Sequence, residues 1–119
     1  KNNHFMKILT IHADYLKFQV KEKAIKSAEE IDKKEHEIKE CLIVFTAVEK
    51  KDEKNEKEIA NKLADEIILI SNQVKTKNIV LYPYAHLSND LAKPEHAFNI
   101  LKEAEALQQQ PAFRELFFN

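Results

Sequence analysis

The sequence predicts an α/β (α+β) domain, a mixed β-sheet with helices packed on it, and three observations carry that reading. Residues 41–48, Cys-Leu-Ile-Val-Phe-Thr-Ala-Val, form a continuous apolar run rich in branched side chains, as a buried central strand requires. Ile59, Leu63, Ile67, Ile70 and Val74 then recur at helical spacing. Residues 78–82, Asn-Ile-Val-Leu-Tyr, read as a second buried strand ended by Pro83. A strand, helix and strand over residues 41–82 leave room for a parallel crossover, whereas the start of the chain reads as an antiparallel pair.

Taken in order, residues 1–5 precede Met6 and read as an upstream remnant or tag, so the domain is expected over residues 6–119. Ile8, Leu9 and Ile11 form a first apolar run, which His12, Ala13 and Asp14 interrupt. Leu16, Phe18 and Val20 then alternate with Lys17, Gln19 and Lys21, the period of a strand with one wet face. The spacing predicts a hairpin with its bend near Ala13 and Asp14. Residues 21–40 carry charge at thirteen of twenty positions, so they read as solvated surface, with a possible helix through Ala24, Ile25, Ala28, Ile31 and Ile38. Asn55 followed by Glu58 resembles a capping box that opens a helix over residues 56–75. Pro94 suits the first turn of a last helix, with Ala97, Ile100 or Leu101, Ala104 and Leu107 on its core face. The run Gln-Gln-Gln-Pro at 108–111 ends that helix, and the Phe-rich tail from Ala112 reads as a short strand or helix.

Composition narrows the function classes. The chain has 119 residues, 44% hydrophobic and 33% charged, with net charge −1. That fits one domain with a real core and argues against disorder. A single cysteine, Cys41, excludes an intrachain disulfide framework. Its place at the start of an apolar strand suits a small buried hydrophobe better than a reactive thiolate. No apolar run reaches the roughly 20 residues that span a bilayer, and a cytoplasmic setting without membrane contact is expected. The chain contains no glycine. Phosphate-cradling glycine loops are therefore excluded, and asparagines and aspartates such as Asn55, Asn78, Asn89 and Asp90 are expected wherever a turn needs a positive φ.

Two places could carry chemistry. His12, beside Asp14 and Tyr15, could act as a base or donor at a strand end, or could simply close the hairpin through a hydrogen bond. Residues 82–88, Tyr-Pro-Tyr-Ala-His-Leu-Ser, run from a buried strand into a loop that offers Tyr84, His86 and Ser88. Aromatics with a histidine at a strand exit suit a pocket that stacks a ring and orients a water, although an ordinary loop could hold them too. Ser27, Ser71 and Ser88 lack a nucleophile motif. Metal binding by His12 and His86 has no third ligand marked by spacing. His4 and His96 look incidental, and the charged run at 50–54 reads as solvated surface.

Three stretches together resemble a known family. They are Lys-Ile-Leu-Thr-Ile-His-Ala-Asp-Tyr at 7–15, Phe-Thr-Ala-Val-Glu-Lys-Lys-Asp-Glu-Lys-Asn at 45–55, and the block from Asn78 through His86 to Pro94, followed by Asn-Ile-Leu at 99–101. In this order and spacing they are similar to the amino-terminal editing domain of archaeal threonyl-tRNA synthetases. The resemblance covers Met6 to about Leu107. It implies a fold like that of D-aminoacyl-tRNA deacylases, which pair as homodimers, and a proofreading activity that hydrolyses seryl-tRNA(Thr) and spares the threonyl ester. Such a second site is useful because binding alone rejects a substrate lacking one methyl by only about 1–3 kcal/mol.

The implied pocket is mostly backbone, with water activated largely by the ribose hydroxyl of the tRNA. Carried over, its substrate-binding positions are His12, Asp14, Tyr15, Phe45, Thr46, Ala47, Val48, Tyr84, Ala85 and Leu87. His86 is the catalytic candidate, orienting the water or the terminal adenosine. No cofactor or metal is implied for editing. The implied partners are the 3′ end of tRNA(Thr) carrying serine, a second copy of the chain, and the remainder of the synthetase. The carboxy-terminal part departs from the family's pattern. There the family continues through Ala-Pro-Phe-Gly-x-Tyr-Lys and Lys-Gly-His-Pro, whereas this chain has Pro111, Phe113 and Arg114 and no lysine after Lys102. Arg114 could supply charge but not shuttle a proton. A non-catalytic tRNA-binding or dimerisation module of the same fold is the alternative.

Overall fold

A computed structural model describes residues 5–19, 35–107 and 113–115. It contains strands β1 (Lys7–Gln19), β2 (Glu35–Ala47), β3 (Ile79–Pro83) and β4 (Phe113–Glu115), and helices α1 (Glu56–Val74) and α2 (Pro94–Leu107). Two short 3-10 segments, Lys50–Asn55 and Ala85–Leu87, complete it. The sheet order is β1-β2-β3-β4. β1 pairs antiparallel with β2, and β2 with β3 and β3 with β4 pair parallel. The mixed α+β architecture matches the sequence pattern, and the crossover from β2 through α1 to β3 is parallel as expected.

The hairpin at Ala13 and Asp14 does not exist. β1 runs straight through these residues and pairs with β2 from Lys7 opposite Ala47 to Gln19 opposite Glu35. Two stretches that each look like a strand are one strand, because β2 pairs with both of them. Residues 35–40 belong to β2 rather than to a charged surface helix. The local interruption is a kink: Asp14 and Glu40 form no ladder pair, and Glu40 sits at φ 38°. Its carbonyl accepts from the Thr76 hydroxyl at 3.0 Å and from the Asn78 side-chain amide at 3.1 Å, bonds that hold the left-handed residue in place. Lys75, at φ 61°, is the other positive-φ residue. Lys75 and Thr76 both donate their N–H groups to the Ser71 carbonyl, closing α1. Among the described residues, Glu40 and Lys75 therefore fill the left-handed positions, not the asparagines and aspartates expected from sequence.

The main core lies between one sheet face and the two helices. Leu42, Val44, Ile79 and Leu81 from the strands meet Ile59, Leu63 and Ile67 of α1 and Ile100, Leu101 and Ala104 of α2. Leu107, expected on the core face of α2, is exposed, and the buried stripe of that helix ends at Ala104. Met6 is buried, and Phe5, set aside in the sequence, packs against the same cluster. On the other sheet face Cys41, Ile43 and Val80 form a smaller cluster with Ala13, Leu16, Ile38 and Phe45. Cys41 is fully buried, and that burial, helped by the Glu40 carboxylate, pushes its thiol pKa up, as an inert core cysteine requires.

Asn55 precedes α1 but makes no side-chain cap. The reciprocal bonds lie earlier, where the Glu49 N–H donates to Asp52 Oδ2 at 2.8 Å and the Asp52 N–H donates to the Glu49 carbonyl at 2.9 Å. The run at 50–54 is thus not wholly solvated, since Asp52 is only 2% exposed. No described helix is long and apolar enough to cross a membrane. The helix suggested by Ala24, Ile25, Ala28 and Ile31 lies outside the described residues. So do Val20, Ser27, His4 and the rest of 1–4, the helix end at 108–111, and the tail apart from 113–115.

Candidate functional site

The site candidate is built where two parallel strands end side by side. Phe45 pairs with Tyr82 and Thr46 with Pro83. A parallel ladder uses alternate residues, so the missing N–H of Pro83 costs the pairing with β2 nothing, and the Tyr84 N–H donates to the Thr46 carbonyl at 2.7 Å. The chain then makes one 3-10 turn, Ala85–Leu87, closed by Leu87 N–H to the Tyr84 carbonyl and Ser88 N–H to the Ala85 carbonyl.

A row of rings follows from this register. The Phe45 centroid lies 5.4 Å from Tyr82 and 5.6 Å from Tyr84, and Tyr84 lies 5.3 Å from His86 with the planes at 70°. These tilted and edge-on contacts are the favoured ones for aromatic rings. Tyr84 is 39% exposed and His86 is exposed, so the row leads from the sheet to an imidazole facing solvent. Beside it Thr46, Ala47 and Val48 are all buried, with the Thr46 and Val48 carbonyls taken up by the Tyr84 and Ala92 N–H groups. Among the described residues the Thr46 hydroxyl has no hydrogen-bond partner. This end of the sheet can stack a planar group against exposed Tyr84 beside one solvent-facing imidazole, on a rigid strand end held by main-chain hydrogen bonds.

The structure brings together Phe45, Thr46, Ala47, Val48, Tyr84, Ala85, His86 and Leu87. It does not bring His12, Asp14 and Tyr15 to them within one chain. His12 lies opposite Leu42 and Tyr15 opposite Lys39, three and six residues back along β2 from Phe45, or about 10 and 20 Å at the rise of a strand. His12 closes no turn. It is mid-strand, with Nε2 at 3.2 Å from Glu40 Oε2 across the kink.

Several interacting residues carry no sequence motif. Ser88, weighed from sequence only as a nucleophile, donates its hydroxyl to Glu49 Oε2 at 2.6 Å. His96 is not incidental, since Nδ1 lies 2.6 Å from Glu56 Oε2 and Nε2 lies 3.9 Å from Glu53 Oε1. The bond to Glu56, with the nearby carboxylates adding, holds the His96 pKa above the ordinary imidazole value. This cluster ties the start of α1 to the start of α2 beside an open hollow of about 540 Å³, away from the strand ends. Among the described residues no three histidine, cysteine or carboxylate side chains gather as a metal site. Only spatial proximity marks these pairs, because their partners lie 39 and 40 residues apart in the chain.

Residues 6–114 match the family model described as the archaea-specific editing domain of threonyl-tRNA synthetase. The chain is 46% identical over 111 residues to a threonine–tRNA ligase of Methanocaldococcus jannaschii, covering 93% of this chain and 18% of that protein. It is 53% identical over 102 residues to that of Methanobrevibacter smithii, covering 84% of this chain and 17% of that protein. Identity to the Pyrococcus horikoshii ligase is 45% over 108 residues, covering 88% and 17%. The chain thus spans under a fifth of the length of these relatives.

Proposed function

The chain belongs to the archaea-specific editing domain family of threonyl-tRNA synthetase, and on that premise we propose that it proofreads by hydrolysing the ester of seryl-tRNA(Thr). The observation that carries this reading is the strand-end site, where the buried main chain of residues 46–48 lies beside a ring row ending at the exposed His86. A pocket walled by fixed backbone discriminates by size. In this reading it admits serine and rejects the extra methyl of threonine, whereas an open binding site would gain only about 1–3 kcal/mol from that methyl.

In this reading residues 45–48 form the rigid wall against the aminoacyl moiety, with Tyr84, Ala85 and Leu87 shaping the adjoining side. His86 orients the water or the terminal adenosine, while the tRNA ribose hydroxyl supplies most of the activation. The domain works within a synthetase, whose body holds the rest of tRNA(Thr), and editing needs no cofactor. The near-neutral chain holds the acceptor end weakly on its own, since phosphate contacts dominate nucleic-acid affinity.

A second copy of the chain enters this reading through the sheet face opposite to that of His12, which pairs with Leu42 of the helix-side core. Leu9 and Ile11 are 49% and 45% exposed, and they share a sheet face with their partners Phe45 and Ile43, away from the helices. A homodimer through this face covers them. Light scattering is expected to give twice the 13.9 kDa chain mass, and Ile11→Lys is expected to return it to the single mass.

The activity is tested by incubating the chain with seryl- and threonyl-charged tRNA(Thr) and following ester loss. Faster loss of the seryl ester is expected. Loss of both at the buffer rate by the folded protein overturns hydrolysis and leaves a tRNA-binding module. His86→Ala is expected to slow the reaction by less than the roughly 100-fold that removal of a general acid or base costs at minimum.

A further inference from the structure

The turn that carries His86 is fastened to the end of β2 on both sides, and the two fastenings differ in kind. On the entry side the bond is main chain to main chain, from the Tyr84 N–H to the Thr46 carbonyl, so any residue can make it. On the exit side a side chain does the work. The Ser88 hydroxyl donates to Glu49 Oε2 at 2.6 Å and accepts from the Asp90 N–H at 3.0 Å. Glu49 lies just beyond β2, is 8% exposed, and has the Lys51 ammonium 3.6 Å from its other oxygen.

A carboxylate drawn this far out of water needs its oxygens bonded. A hydroxyl donating to a carboxylate at this length is a strong, charge-assisted bond with a narrow geometry. Two main-chain bonds, Lys50 N–H to the Asp90 carbonyl and Ala92 N–H to the Val48 carbonyl, both at 2.9 Å, continue the seam beyond it. Ser88 thus supplies the side-chain hydrogen bond between the segment after β2 and the exit of the turn. Ser88 is the residue that closes the Ala85–Leu87 turn, through its N–H to the Ala85 carbonyl. A shift at Ser88 is therefore passed to His86, two residues earlier in one tight turn.

We propose that Glu49 and Ser88 are positioning residues for His86, setting where its imidazole stands against Tyr84 and the strand-end backbone; for catalysis this rests on the editing reading above. Neither residue touches the ester. Their contribution is geometric, and reaction rates are sensitive to displacements of about 1 Å.

The test combines single-turnover hydrolysis of seryl-tRNA(Thr) at saturating protein with NMR of the His86 ring, whose resonances feel the neighbouring Tyr84. Ser88→Ala is expected to slow the saturating rate about three- to tenfold, to leave the half-saturating protein concentration unchanged, and to move the His86 resonances. Ser88→Thr, which keeps the hydroxyl, is expected to restore both rate and resonances. The double variant Ser88→Ala/His86→Ala is expected to be no slower than His86→Ala alone, because the two act as a unit. Glu49→Gln is expected to move the same resonances. An unchanged rate in Ser88→Ala, a fully additive loss in the double variant, or unmoved His86 resonances would overturn the proposal. If the unaltered chain hydrolyses neither ester, the editing reading fails, while the resonances still decide whether Glu49 and Ser88 place the ring.

Discussion

Leu63→Ala is expected to lower the unfolding free energy by about 2–5 kcal/mol. Leu63 is fully buried on α1, in the one cluster that joins both helices to the sheet. Truncation there removes transfer energy and leaves a cavity, because α1 is held against the sheet by Ile59 and Ile67 on either side and cannot collapse inward. A domain of this size has on the order of 5–15 kcal/mol in total, so the loss is a large fraction of the whole. Urea unfolding followed by circular dichroism measures it from the midpoint at constant slope. Leu63→Met, which roughly conserves volume, is expected to cost less than about 1.5 kcal/mol. Equal costs for the two substitutions would contradict the cavity explanation.

Asp52 gives the second large effect, and it depends on pH. Burial is the main influence on its carboxyl and pushes its pKa above the ordinary carboxylate range; the Glu49 amide and Lys51 pull the other way, and the Glu49 carboxylate adds to the rise. Asp52→Ala removes the acceptor of the Glu49 N–H and leaves that amide buried, at a cost of about 1–3 kcal/mol. Asp52→Asn keeps an acceptor and is expected to cost less. Because the pKa is higher folded than unfolded, the native state binds more protons between the two values, and stability falls as pH rises through that window. Asp52→Asn is therefore expected to gain on the unaltered chain as pH rises from about 4, with the difference levelling off above the raised pKa. Unfolding midpoints across a pH series measure this. His96, also raised, contributes in the same direction in a higher window. Its stabilisation is complete below the ordinary imidazole pKa and lost as pH rises through the folded value. The two windows separate the contributions, and a flat difference between Asp52 and Asn at position 52 across the acid range would contradict the burial argument.

The parts of this fold that sequence reveals are those in which each residue's role is decided by its near neighbours. α1 is legible because its apolar stripe recurs every three or four residues. The second half of β2 and all of β3 are legible because short branched runs fit only a buried strand. β1 is not, because His12, Ala13 and Asp14 look locally like a turn, and only the ladder with β2 overrides that preference. Residues 35–40 are polar enough to suit any surface element, and pairing alone makes them a strand. The same division runs through the candidate site. Tyr84 and His86 stand out in a compact block, whereas Glu49 and Ser88 become partners only when the ends of β2 and β3 meet. His12 reads as a strand-end residue in sequence and is mid-strand in the fold.

The unequal lengths of the strands have a consequence for how the domain opens. β3 spans β2 only from Leu42 to Thr46, so Tyr15–Gln19 with Glu35–Lys39 form a ribbon that β3 does not reach. Among the described residues nothing else pairs with this ribbon, and two-stranded ribbons are marginal on their own. Their amides exchange hydrogen through local opening, whereas those around Val44 and Leu81 wait for global unfolding. Amide exchange thus divides this single sheet into two tiers at the Asp14 and Glu40 kink. Weakening the core at Leu63 speeds exchange in the inner tier and leaves the outer one at its own rate.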